Sequence, residues 1–333
     1  MKLNIQPILN EIRKTVENHK IEDGKYVRYL WQNEKGNRKM GSNEYGCADA
    51  ANILYMLGDF ERDLDKRAAA VNELQSFQHE NGIFDEGTHH PIHCVAHCTA
   101  ALELFDATPK LPFTALEKYK TVEGLRELLE GLDWVNAPWS EAHQGAGIYA
   151  AFVLTGNASP EWQKFYFDWL TEHADEKYGM GYAGAIDKNG KPLYHHLNGW
   201  FHYLFNFVFA HQPIPHAKRA VDTCIEMYRD PEKECPGLGT RVHFAEIDWI
   251  YVLHRASKQE GYRVDEAKEK LRDFAKFYVN SLMNTDYEKN EHWNDMHMLF
   301  GGLCGLAELQ LALPGEIISD FPLKLVLDRR PFI

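Results

Sequence analysis

The stretch HPIHCVAHCTAALELFDA, His90 to Ala107, opens on histidines and runs on into small and apolar residues with no polar face. Apolar residues sustained over this length, without the alternation of a half-buried strand, predict a helix buried on every side. The same plan recurs in NEYGCADAANILYMLG (Asn43 to Gly58), WSEAHQGAGIYAAFVLTG (Trp139 to Gly156), HLNGWFHYLFNFVFAHQ (His196 to Gln212), HFAEIDWIYVLHRAS (His243 to Ser257) and HWNDMHMLFGGLCGLAELQLAL (His292 to Leu313). Equivalent positions lie about 50 residues apart, a repeat that governs the reading of the whole chain.

Between these segments lie helices of another kind. Leu64 to His79, Leu116 to Leu132, Glu161 to His173, His216 to Arg229 and Asp265 to Leu282 carry charge on one face and apolar residues on the other. A first helix from about Asn4 supplies the sixth, with Ile5, Ile8, Leu9 and Ile12 on one side. One-sided helices alternating with all-apolar ones are satisfied together if buried helices form an inner ring and amphipathic helices an outer one. The expectation is a single all-α domain over residues 1–333, a double ring of about six helical hairpins. DKNG, Asp187 to Gly190, lies in the longest irregular stretch and predicts a small β-hairpin near residues 182–195.

This plan resembles the (α/α)6 toroid superfamilies. Six-hairpin glycosidases and polysaccharide lyases stand on one side, terpenoid cyclases and protein prenyltransferases on the other. LQSFQHENGIFDEGTHHPIHCVAHCTAALELF, Leu74 to Phe105, is similar to the cyclase-type repeat in its Gln78, Gly82 and Phe84 turn and its Thr99-Ala-Ala-Leu helix. The Asp-rich cyclase motif, DDxxD and the prenyltransferase zinc set are absent, so the resemblance is to a superfamily and implies a fold more than a function.

Net charge of −13 disfavours nucleic acid and anionic membrane surfaces as partners. No apolar run approaches a membrane span or a signal core, so a cytoplasmic protein is expected. The six cysteines read as buried free thiols, since a chain of 333 residues needs no staples.

In a toroid the opening turns of the inner helices converge on one mouth, and ionisable side chains there imply a wet cavity. Glu141, Glu246, Asp248 and Asp295 are candidate acid, base or nucleophile for glycosidic cleavage, which needs two carboxyl groups across a gap. His97, His143 and His297 are candidates for proton transfer or for holding an anionic sugar. Tyr45, Asp49, His93, His196, Asn198 and His202, with the indoles of Trp139, Trp200 and Trp293, are candidate substrate contacts, since sugars stack on indole faces. The plainer reading of each is helix capping or core packing. His93 and His97 share a helical face at ligand spacing, but no third ligand is clearly placed and His-Glu-x-x-His is absent, so no metal or other cofactor is expected. The expected function is cleavage of a small oligosaccharide, acidic ones included, by hydrolysis or elimination. An isoprenoid-handling toroid and a non-catalytic binding scaffold are the alternatives.

Overall fold

The computed structural model describes residues 2–189, 192–229, 235, 238–240 and 242–333. The chain is predominantly helical. It begins with β1 (Leu3–Asn4), α1 (Gln6–His19), the antiparallel pair β2 (Lys20–Glu22) and β3 (Lys25–Tyr26), α2 (Glu44–Leu57), α3 (Leu64–Ser76) and α4 (Pro91–Leu104). A 3-10 turn (Thr114–Lys120) leads to α5 (Val122–Gly131), then α6 (His143–Leu154), α7 (Pro160–His173), α8 (Ala185–Asn189), α9 (Leu193–Phe209) and α10 (Ala217–Arg229). Next come α11 (Phe244–Glu260), α12 (Val264–Met283), α13 (Glu291–Asn294), α14 (Met296–Ala312), β4 (Ile317–Ile318) and α15 (Val326–Arg329).

Local chemistry sets the boundaries. Asn43 accepts a hydrogen bond from Gly46 N at 2.7 Å to start α2, and Gly58 ends it in the left-handed region at φ 79°. Ser159 caps α7 ahead of Pro160, a residue that lacks the N–H the first turn would leave unpaired. The stretch expected as one outer helix from Leu116 to Leu132 is broken at Thr121. Its extended backbone and its hydroxyl, which accepts from Gly124 N at 3.0 Å, start α5 afresh.

The six segments read as buried helices are α2, α4, α6, α9, α11 and α14. Each is buried along nearly its whole length. Their contacts form a cycle: α2 packs on α4, α4 on α6, α6 on α9, α9 on α11, α11 on α14, and α14 back on α2. Close approach requires glycine at two joints. A Cβ on Gly199 would lie 2.0 Å from Pro138 O, and one on Gly145 would lie 2.2 Å from Tyr203 Oη. The flanking helices bury one face only, as α1 does with Ile8, Leu9, Ile12 and Val16. The parallel pair β1–β4 ties Leu3 to Ile317 across the closure. No helix among the described residues is long and apolar enough to cross a membrane.

The hairpin expected near 182–195 is not formed among the described residues; Gly190 and Lys191 lie outside them. Ala185–Asn189 is a short helix instead. Ala185 and Ile186 are both buried, which consecutive strand positions on opposite faces would not favour. Asp175 Oδ2 holds Gly184 N at 2.8 Å, and Asp187 is bound by Lys177 Nζ at 2.6 Å and Tyr178 Oη at 2.9 Å.

Candidate active site

Buried helices and two loops line a cavity of about 300 Å³. His93 of α4, His143 of α6, Phe201 and His202 of α9, Phe244 and Asp248 of α11, and His297 of α14 face it. The loop Thr88 to His90, Trp139 with Ser140, and Ile333 complete its lining. Phe332 packs against two of these residues, its ring 4.7 Å from that of His93 and 6.2 Å from that of His202.

Hydrogen bonding sets the tautomers. His202 Nδ1 lies 2.7 Å from Asn198 O, and a carbonyl only accepts, so Nδ1 donates. Burial pushes the His202 pKa down to about 4, so the ring is neutral near pH 7 and Nε2 carries a lone pair. His89 Nδ1 donates in the same way to Glu86 Oε1 at 2.7 Å. Burial, opposed by that carboxylate, also lowers the His89 pKa. His143 donates towards the Trp139 backbone, and its buried Nε2 has no protein partner. His93 Nδ1 lies 2.5 Å from Tyr45 Oη, and burial holds its pKa well below the ordinary value.

Asp248 is 2% exposed. Burial, reinforced by the nearby charge of Glu246, raises its pKa well above the usual carboxylate range and favours the neutral acid. With its amide nitrogen facing the acceptors, Asn198 donates to Asp248 Oδ2 at 3.1 Å and to Tyr194 O at 2.9 Å. Its backbone carbonyl holds His202, so one residue orients both the acid and the imidazole.

Behind this wall lies a second polar group. Asp49 Oδ1 accepts from His97 Nε2 at 2.8 Å and from His297 Nδ1 at 3.1 Å. Despite burial, the two imidazoles draw the Asp49 carboxyl well below its ordinary pKa, while burial pushes His97 down to about 4. Asp49 Oδ2 and His97 Nδ1 are buried without a hydrogen-bond partner. Among the described residues, Asp49, His97 and His297 are the group whose donor atoms converge, all within 4.8 Å of one another. The helical face shared by His93 and His97 is therefore split: His93 serves the cavity and His97 serves Asp49.

Of the residues singled out from sequence, His93, Trp139, His143, His202, Asp248 and His297 come together on the cavity. Tyr45, Asn198, Asp49 and His97 form the layer behind them. Others fall elsewhere. Glu141 is exposed, its Oε2 accepting from Gln144 Nε2 at 2.7 Å. Asp295 caps α14 through His297 N and takes Arg28 in two bonds, Nε at 2.8 Å and Nη2 at 3.0 Å. Glu246 is buried beside Asp248 and does not line the cavity. His196 and Trp200 are buried away from it. Trp293 packs against Gly302 and, at 5.4 Å, Tyr287.

Arg28, Glu86, Phe332 and Ile333 were not among the expected site residues. Arg28, buried under the rim, joins Asp295 to Glu86 and Thr88 and lies over the Tyr45 ring at 5.0 Å. Nothing in KYVRYL marks that role. The apolar triplet after Arg329-Arg330 is the only signal for Phe332 and Ile333. Compared with known protein families, curated proteins and solved structures, this chain matches none.

Proposed function

We propose that the closed cycle of six buried helices, with one-sided helices outside it, is an (α/α)6 toroid. We further propose that the chain is a carbohydrate-active enzyme that cleaves a glycosidic bond within the histidine-lined cavity. The observation that carries this reading is the Asp248–Asn198–His202 unit: a carboxyl group favoured in its acid form and a neutral imidazole, both oriented by one asparagine and both facing one cavity. Asp248 would protonate the departing oxygen. His202 Nε2, with His143 Nε2 beside it (ring centroids 5.5 Å apart), would accept the proton of the attacking water. Trp139, Phe201 and Phe244 provide faces for the apolar side of a sugar ring.

The carboxylate pair expected from sequence narrows to Asp248, because Asp295 is committed to Arg28 and Glu141 to Gln144. No Lys or Arg is among the described residues lining the cavity. That supports an uncharged sugar over an acidic one, and water attack over elimination, which needs a neutralised uronate. The aromatic walls also favour a second reading, an isoprenoid-handling site, but six histidines and an aspartic acid make that lining costly for a hydrocarbon.

The test is turnover of short neutral oligosaccharides, with reducing ends and unsaturated products both measured. Asp248→Asn and His202→Gln are each expected to slow release by about 10²–10⁴-fold. Unchanged turnover in both, or no sugar cleaved by the wild-type chain, would remove the reading.

A further inference from the structure

We infer that Asp49, His97 and His297 form a binding site for one divalent transition-metal ion, with Asp49 Oδ1, His97 Nε2 and His297 Nδ1 as its protein ligands. The three residues come from α2, α4 and α14, and α2 packs on both of the others where the helix cycle closes. The inference is independent of the sugar chemistry proposed above.

Geometry is the first support. Around an ion with bonds of about 2.0–2.1 Å, neighbouring donor atoms sit about 2.9–3.4 Å apart. The oxygen here lies 2.8 Å from one nitrogen and 3.1 Å from the other. The two imidazole centroids are 5.3 Å apart with planes at 83°. For two rings bound through nitrogen to one tetrahedral ion, a separation of about 5 Å follows from the same bond length.

Charge is the second. Asp49 is fully buried. A buried carboxylate needs a countercharge or a full set of donors. Asp49 Oδ2 has neither hydrogen-bond donor nor salt-bridge partner. Arg330, which is also buried, acts on Asp49 through space but makes no direct bond to it, its Nη2 going to Asn52. A cation shared by the three ligands would supply a countercharge directly on the carboxylate.

Chemistry selects the ion. Two imidazoles and one carboxylate suit zinc, iron(II) or cobalt(II); calcium and magnesium prefer all-oxygen sets. The protons now on His97 Nε2 and His297 Nδ1 move to the opposite ring nitrogens, and the vacated lone pairs take the metal. Because His297 also lines the cavity, the ion would sit just behind that wall.

The experiment uses the full chain, stripped with a chelator and dialysed against Zn²⁺ or Co²⁺, with bound metal quantified by mass spectrometry. The visible spectrum of the Co²⁺ form reports the ligand field. One ion per chain is expected, with Asp49→Asn and His297→Gln each weakening binding by at least about a hundredfold, judged against the tenfold to hundredfold that second-layer partners carry. His143→Gln, on the cavity but outside the trio, is expected to bind as the wild type does. Circular dichroism of the stripped proteins checks folding, and His297→Gln carries the test if Asp49→Asn does not fold. Absence of a stoichiometric ion would overturn the assignment and leave Asp49 as an acceptor of two imidazole N–H groups. So would unchanged affinity in the trio variants, or loss of binding in His143→Gln.

Discussion

Replacing His202 with glutamine should flatten the loss of stability as the protein is acidified. The His202 pKa is depressed from 6.5 to about 4 by burial, so the folded state prefers the neutral ring. Its contribution is fully present above about pH 6.5 and is lost as pH falls towards about 4, because the unfolded chain takes up a proton that the folded chain resists. Integrating between those two pKa values, acidification from pH 7 to pH 5 removes about 2 kcal/mol through this residue. The side chain is 6% exposed, so solvent screening is slight. The measurement is urea unfolding of wild type and His202→Gln at both pH values, comparing the change with pH in each protein, because removing the ring also alters packing. The variant should lose about 2 kcal/mol less than the wild type across that interval. Equal losses in the two proteins would show that His202 titrates normally in the folded state, and the neutral imidazole used as a proton acceptor would go with it.

Gly199→Ala would place a Cβ 2.0 Å from Pro138 O, a backbone atom that cannot swing aside. A destabilisation of about 3 kcal/mol or more is expected in thermal or denaturant unfolding. Arg28→Met leaves Asp295 and Glu86 without their guanidinium, and unfolding measurements should show a loss of about 3–5 kcal/mol. All six cysteines are buried, and burial raises the Cys47 and Cys94 thiols to about 12. A thiol reagent should therefore label none in the native protein within minutes and all of them after denaturation.

The six buried helices were legible because burial on all sides leaves a mark in every residue of a segment. His90 to Ala107 reads as buried from end to end, and the structure places α4 inside it. The opening turns were legible too, since ionisable residues set against apolar helices stand out. What could not be read was direction. Trp293 and His297 sit four residues apart at the start of one repeat, yet the indole packs on Gly302 while the imidazole reaches the cavity. Asp295 reads as a candidate catalytic carboxylate because its partner, Arg28, lies 267 positions away. The DKNG turn was misjudged for a local reason: Lys177 and Tyr178 bind Asp187 and stabilise a helical turn. The pairing of Asn198 with both Asp248 and His202 depends on how α9 and α11 face each other, which repeat spacing alone does not encode.

The cycle of helices closes through contacts between the two extremes of the sequence. Leu3 pairs with Ile317, Cys304 meets Met56 at 3.9 Å, and Arg330 bonds Asn52. During synthesis, five of the six buried helices emerge while the gap that Met296–Ala312 will fill is still open. Until then the apolar flanks of Glu44–Leu57 and Phe244–Glu260 face water. Contacts this distant along the polypeptide are slow to form, so the nascent protein passes through a long-lived open arc with two greasy edges. It is at that stage, before the last helix docks, that chaperones would be needed and aggregation would begin.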